Sequence, residues 1–121
     1  MIRLTFTGDI LIEPEQKEAI CSHSDGFDTI FRNILSSFSL SNYIIGNLET
    51  PLAGEELVYS SHKWSFNTPD CLAESLKKAG FNLLTTANNH CLDRGKIGLL
   101  NTLKTLDRYG LEHIGTYAQK S

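Results

Sequence analysis

The sequence has little of what marks a membrane, disulfide-stabilised or nucleic-acid-binding protein. Its 121 residues contain no apolar run long enough to span a bilayer and no basic, apolar leader before the first strand-like segment. The three cysteines form no C-x-x-C pair, which favours free thiols in a reducing compartment. The net charge of -3 is mild, and basic residues do not cluster, so no nucleic-acid partner is expected. These residues alone predict a soluble, cytoplasmic protein.

Glycine-rich phosphate loops are also missing. Nine glycines are present, but they form neither a G-x-G-x-x-G nor a G-x-x-x-x-G-K pattern. A sugar- or nucleotide-binding α/β domain is therefore the least favoured function. With 40% apolar and 21% charged residues, the chain has the composition of one globular domain that can bury a core without disulfides.

Strand-like and helix-like segments alternate along the chain. Apolar or alternating runs predict strands over residues 2–7, 43–46, 81–86 and 111–115, with a short additional strand over 63–66. Helical spacing predicts helices over residues 27–38, 70–79 and 97–109. This alternation predicts an α/β fold in which a mostly parallel sheet is packed against flanking helices.

Boundary residues refine these elements. Ser24 or Asp25 is expected to cap the first helix and Thr68 the second, while Gly80 ends the second. Residues 10–26 show little periodicity and are expected to be irregular. Residues 50–62 contain proline, glycine and paired glutamates, and are expected to form a loop that covers a site.

Polar side chains follow three of the predicted strands, where each strand ends. They are Asp9 after the first strand, Asn47 and Glu49 after the second, and Asn88, Asn89, His90 and Asp93 after the third. Because parallel strands bring their carboxyl ends to the same edge of a sheet, these side chains are expected to form one site. Gly8 is expected to let the chain turn and present Asp9.

Carboxylate, amide and imidazole groups together suit a divalent manganese, iron or zinc ion. Such a metal lowers the pKa of a bound water, which can then attack a phosphoester. In this interpretation Asp9, Glu49 and Asn89 bind the metal. His90 either binds it or protonates the leaving oxygen, and Asp93 orients His90.

Each of these residues also has a purely structural interpretation. An aspartate after a glycine is typical of a turn or helix cap, and Glu49 before a Thr-Pro pair suits a solvated loop. Consecutive asparagines serve left-handed turns, and Asp93 can cap the helix that follows it. Joint placement at three strand ends is what favours a site.

Several motifs resemble one known family. They are Thr7-Gly8-Asp9-Ile10, residues 46–52 (GNLETPL), residues 66–69 (FNTP) and residues 87–95 (ANNHCLDRG), followed by Gly98-Leu99, Thr102-Leu103 and His113-Ile114-Gly115. In order and spacing they resemble the bacterial capsule and poly-gamma-glutamate biosynthesis proteins of the CapA type. These are similar to the calcineurin-like metallophosphoesterase superfamily.

The resemblance implies a four-layer α/β/β/α sandwich of which residues 1–121, as a single truncated domain, form the N-terminal half. It implies that Asp9 is the first-strand metal aspartate and that Asn47 and Glu49 form the second acidic motif. Asn89 and His90 then supply a ligand and a catalytic acid, and the full-length protein holds one or two ions.

Two features depart from the broader superfamily. The first motif lacks the histidine of an Asp-x-His pattern, because Leu11 stands at that position, and Glu49 stands where an aspartate is usual. The resemblance therefore leaves two functions open. One is a metal-dependent phosphoesterase-like hydrolase acting on a phosphoester or polymer in capsule biosynthesis. The other is a non-catalytic accessory protein of an envelope-polymer synthase, with a vestigial metal site.

The resemblance also bears on location and partners. It implies association with the cell envelope and contact with capsule-synthase proteins. The missing second half of the sandwich implies an exposed apolar surface on the isolated chain, which favours self-association.

Overall fold

A computed structural model describes residues 1–54 and 64–119 of the chain. Within these residues, four strands form one parallel sheet in their sequence order. The strands are β1 (Leu4–Ile10), β2 (Tyr43–Leu48), β3 (Leu83–Thr85) and β4 (Glu112–Ile114). The predicted α/β fold, with a parallel sheet and flanking helices, is confirmed.

Helical segments occupy most connections between the strands. They are α1 (Pro14–Cys21), α2 (Asp28–Phe31), a 3-10 turn (Arg32–Ile34), α3 (Leu35–Phe38), α4 (Leu72–Ala79) and α5 (Gly95–Arg108). The helices predicted over 70–79 and 97–109 correspond to α4 and α5. Helix α4 ends at Gly80 in a left-handed conformation, as predicted.

Several local predictions are wrong. Residues 14–21, expected to be irregular, form α1, in which the Gln16 side chain accepts a hydrogen bond from the Glu13 backbone N–H at 3.0 Å. The predicted 27–38 helix is divided by the 3-10 turn. Neither Ser24 nor Asp25 caps it, because its N-cap is Phe27. The Thr68 hydroxyl pairs with Thr50 instead of capping α4.

The connection between β2 and α4 also differs from expectation. Residues 64–66 do not form a strand, and Lys63 lies outside the described residues. The predicted covering loop is described only at residues 50–54, which pack inward: Leu52 is fully buried. Its remaining residues, 55–62, lie outside the described part of the chain.

The core lies on one face of the sheet. Ile44, Leu48 and Leu84 point from the strands into a single apolar cluster that also contains side chains from the helices. The helical contributors include Phe31, Phe38, Leu72, Leu76 and Leu106. Two aromatic pairs, Phe31–Phe81 and Phe38–Phe81, pack edge to face within the cluster.

The opposite face of the sheet is apolar and uncovered by the described residues. We call Leu4, Phe6, Ile45, Leu83 and Ile114 the open face, because the strand register and the alternation of side chains place them on the side away from the core. Phe6 is 69% exposed and Leu4 is 54% exposed. The site residues described below lie at the carboxyl end of this face.

In the described residues, no helix combines the length and the apolar character that a membrane crossing requires.

Candidate functional site

Three neighbouring strands place polar side chains in one row near the carboxyl end of the sheet. Asp9 of β1 lies opposite Asn47 of β2, and Asn47 lies opposite Thr85 of β3. Side chains of paired residues on adjacent strands project to the same side of the sheet, so the strand register alone brings these three side chains together. The predicted meeting of Asp9 and Asn47 at one edge is therefore present.

A bulge in β1 determines where Asp9 points. Phe6 pairs with Ile45, and Asp9 pairs with Asn47. Between these two pairs β1 advances by three residues, whereas β2 advances by only two. The extra residue reverses the alternation, so that Asp9 is exposed and Ile10 is buried. Asp9 thus lies inside the strand. The expected turn at Gly8 is wrong, because β1 continues through Gly8 to Ile10 and the φ of Gly8 is not positive.

Asn47 connects all three strands through its side chain. Its Nδ2 donates to Asp9 Oδ1 at 2.8 Å, and its Oδ1 accepts from Thr85 Oγ1 at 2.9 Å and from Asn88 Nδ2 at 3.2 Å. With its oxygen turned to two donors, Asn47 holds the Asp9 carboxylate in place.

Asp9 and Glu49 form a hydrogen-bonded carboxyl pair. The hydrogen bonds from Asn47 and Glu49 lower the pKa of Asp9 below its ordinary value. Burial raises the pKa of Glu49, the hydrogen bond and the charge of Asp9 raise it further, and the charge of His90 opposes this rise. The pKa values of the two carboxyl groups are therefore pushed apart, so Asp9 ionises more readily than Glu49.

His90 and Asp93 form a second polar pair on the turn between β3 and α5. His90 Nδ1 lies 2.8 Å from Asp93 Oδ2, and the two side chains are only 14% and 13% exposed. Since an ionised carboxylate only accepts hydrogen bonds, this contact places a proton on Nδ1 and leaves Nε2 for other chemistry. Asp93 does not cap α5, whose N-cap is Arg94.

Asn88 and Asn89 have different environments. Asn88 donates to the Leu48 carbonyl at 2.9 Å and accepts from the His90 N–H at 3.1 Å, so it ties the turn to β2. Asn89 is exposed, and its side chain forms no hydrogen bond within the described part of the chain. Its predicted role as a metal ligand stays a prediction.

Sequence reasoning missed several contributors to this site. Thr85 is on the row itself, and its alternation within β3 was a usable signal. Ser65, Phe66 and Arg94 contact Asp93 or each other. Phe66 and Arg94 lie within the family motifs, but the motifs do not indicate these contacts, and Ser65 lies 28 residues from Asp93 in the sequence. Their contribution depends on tertiary contacts that periodicity does not report.

The donor set suits a hard or intermediate cation but is incomplete. Asp9 and Glu49 provide two carboxylates in contact, as such an ion requires. Among the described residues, however, no group of three or more His, Cys, Asp or Glu side chains is arranged to hold a metal ion. The residues present therefore fit part of a metal site.

A profile of the family described as "Bacterial capsule synthesis protein PGA_cap" matches residues 3–121, almost the entire chain. The chain belongs to this family. The motifs that span β1, the β2 terminus and the turn after β3 therefore lie within the matched region, and the predicted family membership is confirmed.

PGA_cap relatives include two named CapA proteins. The chain is 28% identical over 117 residues to "Capsule biosynthesis protein CapA" of Bacillus anthracis, covering 94% of this chain and 28% of the relative. It is 28% identical over 116 residues to "PGA biosynthesis protein CapA" of Bacillus subtilis (strain 168), covering 95% of this chain and 30% of the relative. The chain thus spans less than a third of these curated relatives. The fold agrees with the N-terminal part of a metallophosphoesterase-like sandwich.

Proposed function

We propose that this chain supplies one part of the active site of a metal-dependent phosphoester hydrolase that acts in capsule or poly-gamma-glutamate biosynthesis. The observation that carries the proposal is the placement, at one sheet edge, of a hydrogen-bonded carboxyl pair and a histidine held by an aspartate. The names of the relatives support the biological setting.

Each residue has a defined role in this proposal. Asp9 and Glu49 hold the cation, manganese, iron or zinc, with Asn89 as a neutral ligand. The bound cation supplies Lewis-acid stabilisation of the charge on a phosphoryl oxygen. When His90 carries protons on both ring nitrogens, it gives the Nε2 proton to the leaving oxygen as water attacks phosphorus, and it keeps the Nδ1 proton; Asp93 stabilises the imidazole while it is charged.

The proposal is tested on the longest natural polypeptide that contains these residues. We expect manganese- or zinc-dependent hydrolysis of an aryl phosphate or phosphodiester, and we expect His90→Gln to lower kcat by roughly 10²- to 10⁴-fold. His113→Gln is the matched control, because His113 also pairs with an aspartate, Asp107, at 2.9 Å but outside the site. Full activity in the His90 variant would refute the assigned acid.

The alternative function is a non-catalytic accessory protein of an envelope-polymer synthase, which contacts synthase proteins. It is favoured by the incomplete donor set of the described residues and by Leu11 in place of the first-motif histidine. Asp9→Asn separates the two functions. Polymer synthesis should fail in this variant if the protein is an enzyme, and should persist if it is an accessory protein.

Metal affinity provides a further test on the 121-residue chain alone. Because the described residues offer only part of a coordination shell, we expect weak and substoichiometric binding of manganese or zinc. Isothermal titration with each metal measures this directly. Tight one-to-one binding that is lost in Asp9→Asn would show that the chain already holds a complete site.

A further inference from the structure

The Asp93 carboxylate accepts two hydrogen bonds at a single oxygen. His90 Nδ1 lies 2.8 Å from Asp93 Oδ2, and the backbone N–H of Phe66 donates to the same oxygen at 2.7 Å. One donor comes from the turn that carries Asp93, whereas the other comes from the connection between β2 and α4. The orientation of the carboxylate therefore depends on both segments.

Arg94 fixes the backbone that carries this second donor. Its guanidinium donates to the Ser65 hydroxyl, to the Ser65 carbonyl at 3.4 Å and to the Asp93 carbonyl at 3.3 Å. The Ser65 hydroxyl in turn donates to the Asp93 carbonyl at 3.2 Å. We call these hydrogen bonds of Ser65 and Arg94 the Asp93 clamp. Because the Ser65–Phe66 peptide bond supplies the N–H that reaches Asp93, the Asp93 clamp sets the distance between this N–H and the carboxylate.

The Phe66 ring restricts His90 from another side. The two rings pack edge to face, with centroids 4.8 Å apart and planes at 80°. Phe66 is only 6% exposed, so its ring is enclosed by neighbouring residues. Rotation of the imidazole would require this contact to break.

Paired loop segments hold residues 65–66 in place. Thr68 N–H donates to the Pro51 carbonyl at 2.9 Å, and the Asn67 side chain both accepts from Ala53 N–H at 2.9 Å and donates to the Gly54 carbonyl at 2.7 Å. These contacts join the Asp93 clamp to the segment directly after Glu49. The two polar pairs of the site are thus linked through one connection.

We propose that Ser65, Phe66 and Arg94 are positioning residues that hold His90 in the Nδ1-protonated form with Nε2 directed away from Asp93. None of them needs to touch a substrate. The effect on catalysis rests on the proposed function, but the effect on the proton position does not.

The physical reason lies in what the carboxylate loses without the clamp. If Ser65–Phe66 shifts, Asp93 keeps only the bond to His90 and can rotate or turn to water. The imidazole then has no strong acceptor fixed beside Nδ1, and its proton distributes between the two ring nitrogens. Replacing a residue that holds a site histidine in this way typically lowers activity by roughly 10- to 100-fold.

The test uses Arg94→Gln, with Arg94→Lys as the conservative variant and Arg108→Gln as the matched control. Arg108 is an exposed arginine in the last turn of the same helix, so its replacement removes the same charge. Nitrogen-15 spectra of histidine-labelled protein in alkaline solution report the proton position. The His90 signals are assigned by their loss in His90→Gln, and backbone amide spectra confirm that each variant is folded.

We expect the Nδ1-protonated form of His90 to dominate in the wild type and in Arg108→Gln. Arg94→Gln should give a mixture of both forms, and Arg94→Lys an intermediate result. Phe66→Leu keeps the N–H but removes the ring, so it should loosen the imidazole while preserving its proton position. An unchanged proton position in a folded Arg94→Gln variant would overturn the proposal.

Kinetics on the longest natural polypeptide distinguish this inference from the proposed function. If the protein hydrolyses phosphoesters, Arg94→Gln should lower kcat by roughly 10-fold with little change in KM. If the wild type has no activity but the proton position still shifts in Arg94→Gln, the hydrolase proposal fails and the positioning role stands. Unchanged kinetics together with an unchanged proton position would refute the positioning role alone.

Discussion

At the scale of single residues, Asn47 determines how the carboxyl pair is held. Its Nδ2 faces Asp9, while its Oδ1 accepts from Thr85 and Asn88. A metal ligand would need that oxygen free, so Asn47 acts on the site by orienting Asp9. Aspartate at this position would place a carboxylate against Asp9 and would also lose the donor.

Asp28 offers a residue-scale test of electrostatics away from the site. The Ser75 hydroxyl donates to its carboxylate, and this bond, with Lys78 nearby, holds the pKa of Asp28 below its ordinary value. The stabilisation is therefore full above the unfolded-state pKa of an aspartate and is lost as pH falls through the lowered folded-state pKa. Ser75→Ala should remove it.

We expect Ser75→Ala to lower the free energy of unfolding by about 1 kcal/mol at neutral pH. The difference from the wild type should shrink in acid, as followed by urea denaturation at several pH values. Ser37→Ala, at an exposed position, is the control. A difference that persists unchanged into acid would show that lost packing, not the bond to Asp28, causes the effect.

The identities of the site residues could be predicted from sequence, but many of their partners could not. Asp9, Glu49 and His90 follow strand-like runs, so sheet topology predicts that they meet. The contact of Asp93 with the Phe66 N–H joins positions 27 residues apart through a backbone atom. Side-chain identity contains no information about such a bond.

At the scale of elements, apolar periodicity predicted the helices that bury one apolar face against the sheet. Helix α4 was expected, since five of its residues are buried. In α1, none of residues 14–21 is fully buried, so no apolar stripe marked it. The 3-10 turn before α3 was missed for a different reason, because its flanking residues Phe31 and Phe38 keep the spacing of one continuous helix.

Gly46 lets neighbouring side chains pack closely against β2, because it has no Cβ. A Cβ at Gly46 would lie 2.8 Å from Ile10 Cδ1, 2.8 Å from Phe81 Cε1 and 2.9 Å from Thr7 Oγ1, whereas one at Gly8 would meet nothing within 4 Å. We expect Gly46→Ala to lower the free energy of unfolding by about 1–3 kcal/mol through overpacking. Gly8→Ala should leave stability within about 0.5 kcal/mol. Chemical denaturation measures both, and equal effects would contradict the packing argument.

At the scale of the whole molecule, the open face is an apolar surface that no other described part of the chain covers. Parallel sheets are normally covered on both faces, yet here the helices cover one, and Phe6, Leu4 and Ile114 remain more than half exposed. A second copy of the chain presents an identical apolar face, so two sheets can pack against each other about a two-fold axis.

We expect the isolated chain to self-associate with increasing concentration, as sedimentation velocity would measure. Phe6→Lys should weaken the association, because it places a charge at the most exposed apolar residue of the open face. Leu40→Lys is the control, since Leu40 is similarly exposed, at 64% against 69% for Phe6, but lies outside the sheet. Equal weakening by both variants would exclude the open face as the contact.

The bulge in β1 has an evolutionary consequence. The bulge accommodates one extra residue of β1 between Phe6 and Asp9. If that residue were removed, regular pairing from Phe6 and Ile45 onward would still place the aspartate opposite Asn47. A codon deletion at Gly8 would therefore preserve the site, whereas deletion within residues 43–47 would change the register of β2 against both neighbours. Deletions in the two strands are therefore not equivalent, because one removes the bulge and the other moves the partners of two strands.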